Sequence, residues 1–189
     1  MTSAAVATVN EPSPASPAIE GLRIAPLTPQ RDARGMFLEV FKDSWALPVR
    51  PTQWSLVQST ARTLRGLYLH RRHDEMFVLV NGRAHVGLKD LRRGSPTFAR
   101  SVLIDLQAES PKAVVFPPGV LHGWYFSEPS IHLQAVSEEY DQYRDDDNLS
   151  CHWADPALGL AWPDPEPLLS PDGEGFGSLQ DLLARLDAG

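Results

Sequence analysis

The chain has 189 residues, of which 42% are hydrophobic and 8% aromatic, and this composition suits one globular domain with a proper core. Its formal net charge is −7, from 17 basic and 24 acidic residues, which argues against a nucleic-acid partner because such partners require a basic surface. The single cysteine, Cys151, excludes an internal disulfide and favours a reducing compartment. Without a long apolar run or a signal-peptide pattern, we expect a cytoplasmic protein that has no membrane partner.

Residues 1–18 are rich in Ala, Ser and Pro and predict a disordered tail, because their apolar surface is too small to offset the cost of ordering. From Ile19 to Gly189 we expect one domain. Short apolar runs are interrupted by turn residues about every ten positions, as at Asn81-Gly82. This pattern predicts strands at Gly21–Ala25, Phe37–Phe41, Thr52–Ser59, Leu64–Leu69, Met76–Asn81, Ala84–Leu88, Ala99–Leu106, Ala113–Phe116, Gly123–Phe126 and Ile131–Val136.

Many short strands without helical periods between them predict an all-β fold, an antiparallel jelly-roll β-sandwich. The acidic segment Tyr140–Asp147 predicts a solvated loop or a short helix, and the Pro-rich residues 156–171 predict an extended wrap over the sandwich. A short C-terminal helix should follow, because Ser178 and Asp181 have the spacing of a capping box. Its apolar stripe consists of Leu179, Leu182, Leu183 and Leu186.

The segment Leu64–Gly82 places charged and aromatic side chains inside two apolar runs. If these runs are paired strands, alternate side chains share a face. We therefore expect Arg65, Tyr68, His70 and Glu75 to converge on one cavity.

Eight segments between Arg31 and Asp172 resemble, in order, the dTDP-4-dehydrorhamnose 3,5-epimerase family of dimeric cupin (jelly-roll) proteins. They are DARGMFLEVF (32–41), QWS (53–55), TLRGL (63–67), DLRRGSPTF (90–98), FPPGVLHGW (116–124), SEEY (137–140), WADPALGLAWP (153–163) and LLS (168–170). The resemblance implies a homodimer, a nucleotide-linked sugar as the small-molecule substrate, and no cofactor. It also implies that Arg34–Glu39 reaches the pocket of the neighbouring subunit.

The catalytic groups that the resemblance implies are replaced in this chain. The family is expected to use a His directly after LRGL as base, a Lys on the next strand to hold the enolate, and a Tyr as acid. Tyr68, Glu75 and Gln134 occupy these positions. A tyrosine with a pKa of about 10 is a poor base, a glutamate repels an enolate, and an amide is not a comparable proton donor. We therefore expect an altered mechanism, whose candidate catalytic residues are Tyr68, His70, Glu75 and His122.

The residues that the resemblance assigns to the nucleotide and its diphosphate are mostly retained. The planar arginine donors suit a diphosphate because they pair two oxygens at once. A structural ion pair is the alternative interpretation for Arg34 and Arg65. The candidate substrate-binding residues are Arg34, Phe37, Glu39, Gln53, Ser55, Arg65, Gln134 and Tyr140.

The same region also resembles the pattern of metal-binding cupins, HxH, three or four residues, E, six residues, G, and later PxGxxH. Here the pattern runs from Tyr68 through His70 and Glu75 to Gly82, and His122 ends the second part. His70, Glu75 and His122 would form a two-His, one-carboxylate set suited to a divalent Fe, Mn, Ni or Zn ion. The alternative is a substrate-pocket role for His122 and a solvated turn for His70.

These patterns favour a divergent sugar-nucleotide epimerase or isomerase that binds a dTDP-4-keto-6-deoxy sugar or a similar anionic ligand. Two other classes stay open. One is a metal-dependent cupin enzyme that acts on a natural-product substrate without a nucleotide. The other is a catalytically silent binding protein.

Overall fold

The computed structural model describes residues 18–143 and 147–188. The predicted tail, apart from Ala18, lies outside the described residues. Twelve strands are described: β1 (Arg23–Pro26), β2 (Gln30–Asp32), β3 (Gly35–Phe37), β4 (Gln53–Ser59), β5 (Thr63–Leu69), β6 (Glu75–Asn81), β7 (Arg83–Asp90), β8 (Ser101–Gln107), β9 (Lys112–Phe116), β10 (Val120–Phe126), β11 (Ser130–Val136) and β12 (Leu149–Ser150).

The strands form two five-stranded sheets and one small hairpin. The first sheet has the order β1-β9-β6-β11-β4, the second has the order β12-β5-β10-β7-β8, and β2 pairs with β3. Neighbouring strands in these sheets are antiparallel. Both sheets combine strands that are distant in sequence, which confirms the predicted antiparallel sandwich.

Three apolar layers hold the sheets in place. The inner layer lies between the sheets and includes Phe77, Trp124 and Phe126. Met76 and Val78 alternate with Phe77 along β6 and point to the opposite face, where residues between 25 and 49 cover the first sheet. The outer face of the second sheet is covered by the C-terminal segments. Both sheets are therefore buried on two faces over much of their width.

The prediction of a strand over Phe37–Phe41 is wrong beyond Phe37, where β3 ends. Leu38, Val40 and Phe41 are apolar because they pack on the outer face of the first sheet, and they pair with no strand in the described part of the chain. Burial against a sheet face produces the same apolar run as burial within a sheet. The polar strand β2, with the sequence QRD, was not predicted because it lacks any strand signal.

The predicted C-terminal helix is confirmed as α3 (Leu179–Asp187), after two single turns, α1 (Tyr140–Tyr143) and α2 (Pro171–Glu174). Ser178 and Asp181 form the expected capping box, since each side chain accepts a hydrogen bond from the backbone N–H of the other. Leu179 and Leu182 are buried against the second sheet. No helix of the described residues is long and apolar enough to span a bilayer.

The Pro-rich segment before α3 lies along the second sheet. A Cβ on Gly87 of β7 would lie 2.5 Å from the ring of Trp162, so this strand position leaves room only for hydrogen. Asp164 forms an ion pair with Arg62 at 2.8 Å. The carbonyl of Leu168 accepts a hydrogen bond from the N–H of Leu64 at 2.9 Å. These contacts fix the segment beside β5, the strand that carries Arg65 and Tyr68.

Asp90, at the end of β7, is completely buried and receives hydrogen bonds from three side chains. The Arg92 guanidinium donates to both carboxylate oxygens, and the hydroxyls of Ser95 and Thr97 each donate to Oδ2 at 2.6 Å. Burial alone would raise the pKa of the Asp90 carboxyl. The three donors outweigh burial and lower this pKa to about 2.

We predict that Asp90→Asn lowers the free energy of unfolding by about 3 kcal/mol at pH 7, because Arg92 loses its buried counter-charge. The folded-state pKa of Asp90 lies below its ordinary value of 3.8, so its contribution is present above about pH 4 and is lost as the pH falls towards about 2. The difference between wild type and variant should shrink over that range in urea unfolding. Asp105→Asn, which removes the exposed partner of Arg83, is the control; an equal loss in both variants would contradict the prediction.

Candidate active site

Both sheets contribute polar side chains to the interior at one end of the sandwich. His122 of β10 precedes Trp124 by two residues, and Trp124 belongs to the inner layer, so His122 also points inward. Tyr68 of β5 pairs with His122 across the second sheet. Glu75 opens β6 two residues before the inward-pointing Phe77. The carboxylate therefore faces the imidazole across the space between the sheets.

Glu75 is the centre of this group. His70 Nε2 lies 3.0 Å from its Oε1, His73 Nε2 lies 3.7 Å from Oε1, and His122 Nε2 lies 3.4 Å from Oε2. Gln134 of β11 donates a hydrogen bond from Nε2 to Oε2 at 3.3 Å. We call His70, His73, Glu75 and His122 the buried cluster, because at most 7% of each of these side chains is exposed.

The turn that carries His70 and His73 is held by Asp147, which is itself fully buried. Its carboxylate accepts hydrogen bonds from the backbone N–H groups of Arg71 at 2.7 Å and Arg72 at 3.1 Å. Its backbone carbonyl lies 2.6 Å from His70 Nδ1. One residue therefore fixes both the backbone of the turn and the orientation of the His70 ring.

The buried cluster changes the pKa values of its members. Burial would raise the pKa of the Glu75 carboxyl, but the adjacent His122, His70 and His73 outweigh burial and lower it. Burial lowers the pKa of His122 to about 4. Burial also acts against protonation of His70, yet the carboxylate of Glu75 prevails and raises the His70 pKa. The carboxylate is thus ionised near neutral pH, and His122 is neutral.

A second group of polar residues lies beside the buried cluster and is partly exposed. Gln134 pairs with Ser55 across the first sheet. Gln53, two residues before Ser55, accepts a hydrogen bond through Oε1 from the backbone N–H of Tyr140 at 2.9 Å. Arg65 lies on the neighbouring sheet and affects the pKa of Tyr68. We call this set the polar layer; it comprises Gln53, Ser55, Arg65, Tyr68, Gln134 and Tyr140.

Tyr68 belongs to this polar layer. Its ring packs edge-on against Phe176 with centroids 5.4 Å apart. Burial raises the pKa of its hydroxyl, and the negative charge of Asp172 raises it further. The hydroxyl therefore stays protonated near neutral pH and is a hydrogen-bond donor, in agreement with the expectation that Tyr68 is a poor base.

The structure separates the candidate residues into three places. His70, Glu75 and His122 are in the buried cluster. Gln53, Ser55, Arg65, Tyr68, Gln134 and Tyr140 are in the polar layer. Within one chain, Arg34, Phe37 and Glu39 lie elsewhere: Arg34 bonds to Asp32 in the β2–β3 hairpin, 63% of Phe37 is exposed, and Glu39 pairs with Lys42.

Three residues of the site were not predicted from the sequence. His73 stands two residues before Glu75. If the extended backbone of β6 continues to His73, this spacing predicts that both side chains point to the same face. Asp147 and Tyr143 come from a distant acidic segment and carry no such signal. The ring of Tyr143 packs over His73 with centroids 4.4 Å apart.

An antiparallel jelly roll with a polar site between its sheets defines the cupin class of proteins. The model of the family described as dTDP-4-dehydrorhamnose 3,5-epimerase matches residues 16–181. The chain belongs to this family. Several named relatives are epimerases, which are isomerase-type enzymes.

Individual relatives agree with this assignment. The dTDP-4-dehydrorhamnose 3,5-epimerase of Neisseria gonorrhoeae is 32% identical over 148 residues, which cover 74% of this chain and 44% of that longer protein. A Legionella pneumophila dTDP-6-deoxy-D-glucose-3,5-epimerase in complex with dTDP-4-keto-L-rhamnose superposes with a TM-score of 0.79 at 26% identity, covering 89% of this chain and 93% of that one.

A third relative is the 3'-monoepimerase ChmJ from Streptomyces bikiniensis in complex with dTDP-quinovose. Its TM-score is 0.79 at 28% identity, and the match covers 89% of this chain and 88% of that one. The jelly-roll prediction is therefore confirmed by solved structures as well as by the sheet order. The family resemblance predicted from short motifs is confirmed over most of the chain.

We predict that Asp147→Ala lowers the free energy of unfolding by about 2–3 kcal/mol, because two backbone N–H groups lose their acceptor. Amide hydrogen exchange at Arg71 and Arg72 should accelerate more than exchange in the sheets. Asp187→Ala removes an exposed carboxylate that pairs with Arg93 and should change stability by less than about 0.5 kcal/mol. Unchanged exchange at Arg71 and Arg72 would show that Asp147 does not hold this turn.

Proposed function

We propose that this chain is a sugar-nucleotide isomerase of altered mechanism, which binds a dTDP-linked 4-keto-6-deoxy sugar or a similar anionic ligand. Family membership supports the isomerase class, and two of the similar solved structures carry dTDP-linked sugars. The polar layer is the proposed binding surface. The buried cluster supplies the altered chemistry.

The hydrogen bonding of the Arg65 guanidinium is the observation that carries the proposal. Its Nε donates a hydrogen bond to Ser59 Oγ at 2.9 Å, and its Nη2 donates to the carbonyl of Gln58 at 3.0 Å. These acceptors are neutral, and within the described residues Arg65 forms no ion pair with a carboxylate. An exposed guanidinium that is oriented but keeps its charge uncompensated is suited to phosphate oxygens. Arg34, by contrast, pairs with Asp32 within one chain.

The proposed chemistry is proton transfer next to the sugar carbonyl by groups other than the family's. Tyr68, whose hydroxyl stays protonated, donates a hydrogen bond to a substrate oxygen. The proton acceptor belongs to the buried cluster, as either neutral His122 or ionised Glu75. His70 compensates the charge of Glu75, and Gln134 is oriented by its bond to that carboxylate. A buried carboxylate cannot replace a lysine as partner of an enolate, so the reaction must differ from family epimerisation.

The proposal includes a homodimer in the cytoplasm. The β2–β3 hairpin projects with Phe37 63% exposed, and the edge strand β4 exposes Trp54 (41%) and Leu56 (63%). Apolar side chains at a sheet edge are typical of a contact surface. Docking of the hairpin on a second copy would bring Arg34, Phe37 and Glu39 towards the polar layer of the partner.

A metal-dependent cupin enzyme that acts on a non-nucleotide substrate is the second candidate. The convergence of imidazoles on one carboxylate favours it, because histidine and glutamate are common ligands of transition metals. A catalytically silent binding protein would also use the polar layer, and it differs from both enzymes by the absence of turnover.

We predict that dTDP raises the melting temperature of the wild-type protein by about 5–10 °C at a hundredfold excess over its Kd. Arg65→Gln should weaken dTDP binding about 10- to 30-fold in calorimetric titration, because charge-assisted contacts with the diphosphate are lost. Arg83→Gln is the matched control, since Arg83 is an exposed arginine that pairs with Asp105. Absence of stabilisation at millimolar dTDP, or equal binding by both variants, would contradict nucleotide binding by Arg65.

We also predict that dTDP-4-keto-6-deoxyglucose incorporates deuterium at carbons 3 and 5, the positions next to its 4-keto group, much more slowly in heavy water than it does with a family epimerase. The physical reason is the replacement of the family's base, enolate partner and acid by Tyr68, Glu75 and Gln134. Proton NMR follows both positions, and a family epimerase that has the usual residues is the positive control. Rapid exchange at both positions would contradict an altered mechanism.

A further inference from the structure

The ring nitrogens of the buried cluster have a defined arrangement. His70 Nδ1 lies 2.6 Å from the carbonyl oxygen of Asp147, and His122 Nδ1 lies 3.1 Å from the carbonyl oxygen of Val120. A carbonyl oxygen only accepts hydrogen bonds, so each Nδ1 carries a proton. In a neutral ring, the lone pair is then on Nε2. Both Nε2 atoms face the carboxylate of Glu75, at 3.0 and 3.4 Å.

Lone pairs that face a carboxylate require a positive charge between them. Two protons on the imidazoles would supply one form of compensation, and a metal ion would supply another. A metal-binding histidine typically donates its other ring N–H to a backbone carbonyl, which is the arrangement of His70 and His122. The orientation of both rings therefore matches that of ligands.

Unpartnered atoms in the same place favour the metal ion. Both ring nitrogens of His73 and Oε1 of Glu75 are buried and have no hydrogen-bond partner among the described residues. The 3.0 Å approach of His70 Nε2 to that oxygen does not have hydrogen-bond geometry. Buried polar atoms normally find partners, and a bound ion is one recognised reason for an exception.

The donor atoms of His70, His73 and Glu75 are close enough together for one ion, and His122 lies against the second oxygen of the same carboxylate. One ligand atom each from His70, His73 and Glu75 lie within 4.8 Å of one another. Ligands about 2.1 Å from a common metal ion stand about 3.0–3.4 Å apart in octahedral or tetrahedral geometry. His70 Nε2 and His73 Nε2 lie 3.0 and 3.7 Å from Glu75 Oε1, and His122 Nε2 lies 3.4 Å from Oε2. Small side-chain movements bring such donors to one centre.

We propose that His70, His73, Glu75 and His122 bind one divalent transition-metal ion. Three imidazoles and one carboxylate favour Fe(II), Ni(II), Co(II), Mn(II) or Zn(II) over Mg(II) and Ca(II), which prefer oxygen ligands. His73 is the ligand that the sequence pattern did not include. The carboxylate of Asp147 is an orienting group, because it already accepts the N–H groups of Arg71 and Arg72. A bound ion would occupy the lone pairs of His122 and Glu75, so in the metal-loaded protein neither residue is the proton acceptor described above, while nucleotide binding through Arg65 is unaffected.

Metal analysis of protein purified without a polyhistidine tag tests this proposal. After reconstitution with each of the five ions in turn and gel filtration, we expect about one equivalent per chain of at least one ion. Glu75→Gln and His73→Asn should each reduce the bound metal at least tenfold. His85→Gln, which changes a histidine paired with Asp105 on β7, should retain it.

The visible absorption of bound Co(II) is a second test, which does not depend on metal stoichiometry alone. Co(II) should produce visible d–d absorption in wild type and in His85→Gln and none in Glu75→Gln, while circular dichroism checks that each variant is folded. If Glu75→Gln does not fold, His73→Asn gives the same comparison. Less than about a tenth of an equivalent of every ion would overturn the proposal and leave a metal-free ion pair, and equal retention by Glu75→Gln would show metal bound elsewhere.

Discussion

The buried carboxylate of Glu75 is the interaction on which the site depends. Moving an ionised carboxylate from water into a protein interior costs several kcal/mol unless partners compensate. Here the partners come from both sheets: Gln134 from the first sheet, and His122 and His70 from the second sheet and the turn after it. The need to compensate one charge therefore ties the two sheets together at this end of the sandwich.

This constraint divides the site into two parts with different physical character. The polar layer is partly exposed, and its principal cation, Arg65, bonds to the neutral acceptors Ser59 and Gln58. The buried cluster is closed to solvent. Gln134 joins the two parts, because its amide bonds to Glu75 while its strand pairs with that of Ser55. The proposed binding surface and the proposed chemistry therefore rest on different residues.

Short apolar runs and turn residues were sufficient to predict most strands, because strands that are buried between an inner and an outer apolar layer, such as β6, β7 and β10, are apolar over most of their length. The same logic failed over Leu38–Phe41, where an apolar run covers a sheet face instead of pairing. Local motifs also located His70, Glu75 and His122 in one region. They could not reveal Asp147, since its contact with His70 spans 77 residues and depends on how a loop folds back. The orientation of the His70 ring, which decides what the ring can bind, follows from this distant carbonyl group.

The substitutions at the centre of the site are physically coupled. By resemblance, the family has Gln and Lys where this chain has His70 and Glu75. Replacement of the lysine alone would reverse the sign of a charge in a place where only 1% of the side chain is exposed, and it would leave the new carboxylate without a counter-charge. An imidazole at position 70 supplies that compensation at 3.0 Å, and its ring is oriented by the Asp147 carbonyl. The two changes therefore make sense only together, and His122 and His73 extend the same compensation around the carboxylate. A site built by such coupled changes has a different charge distribution from that of the epimerases, while Arg65 keeps the geometry for an anionic ligand.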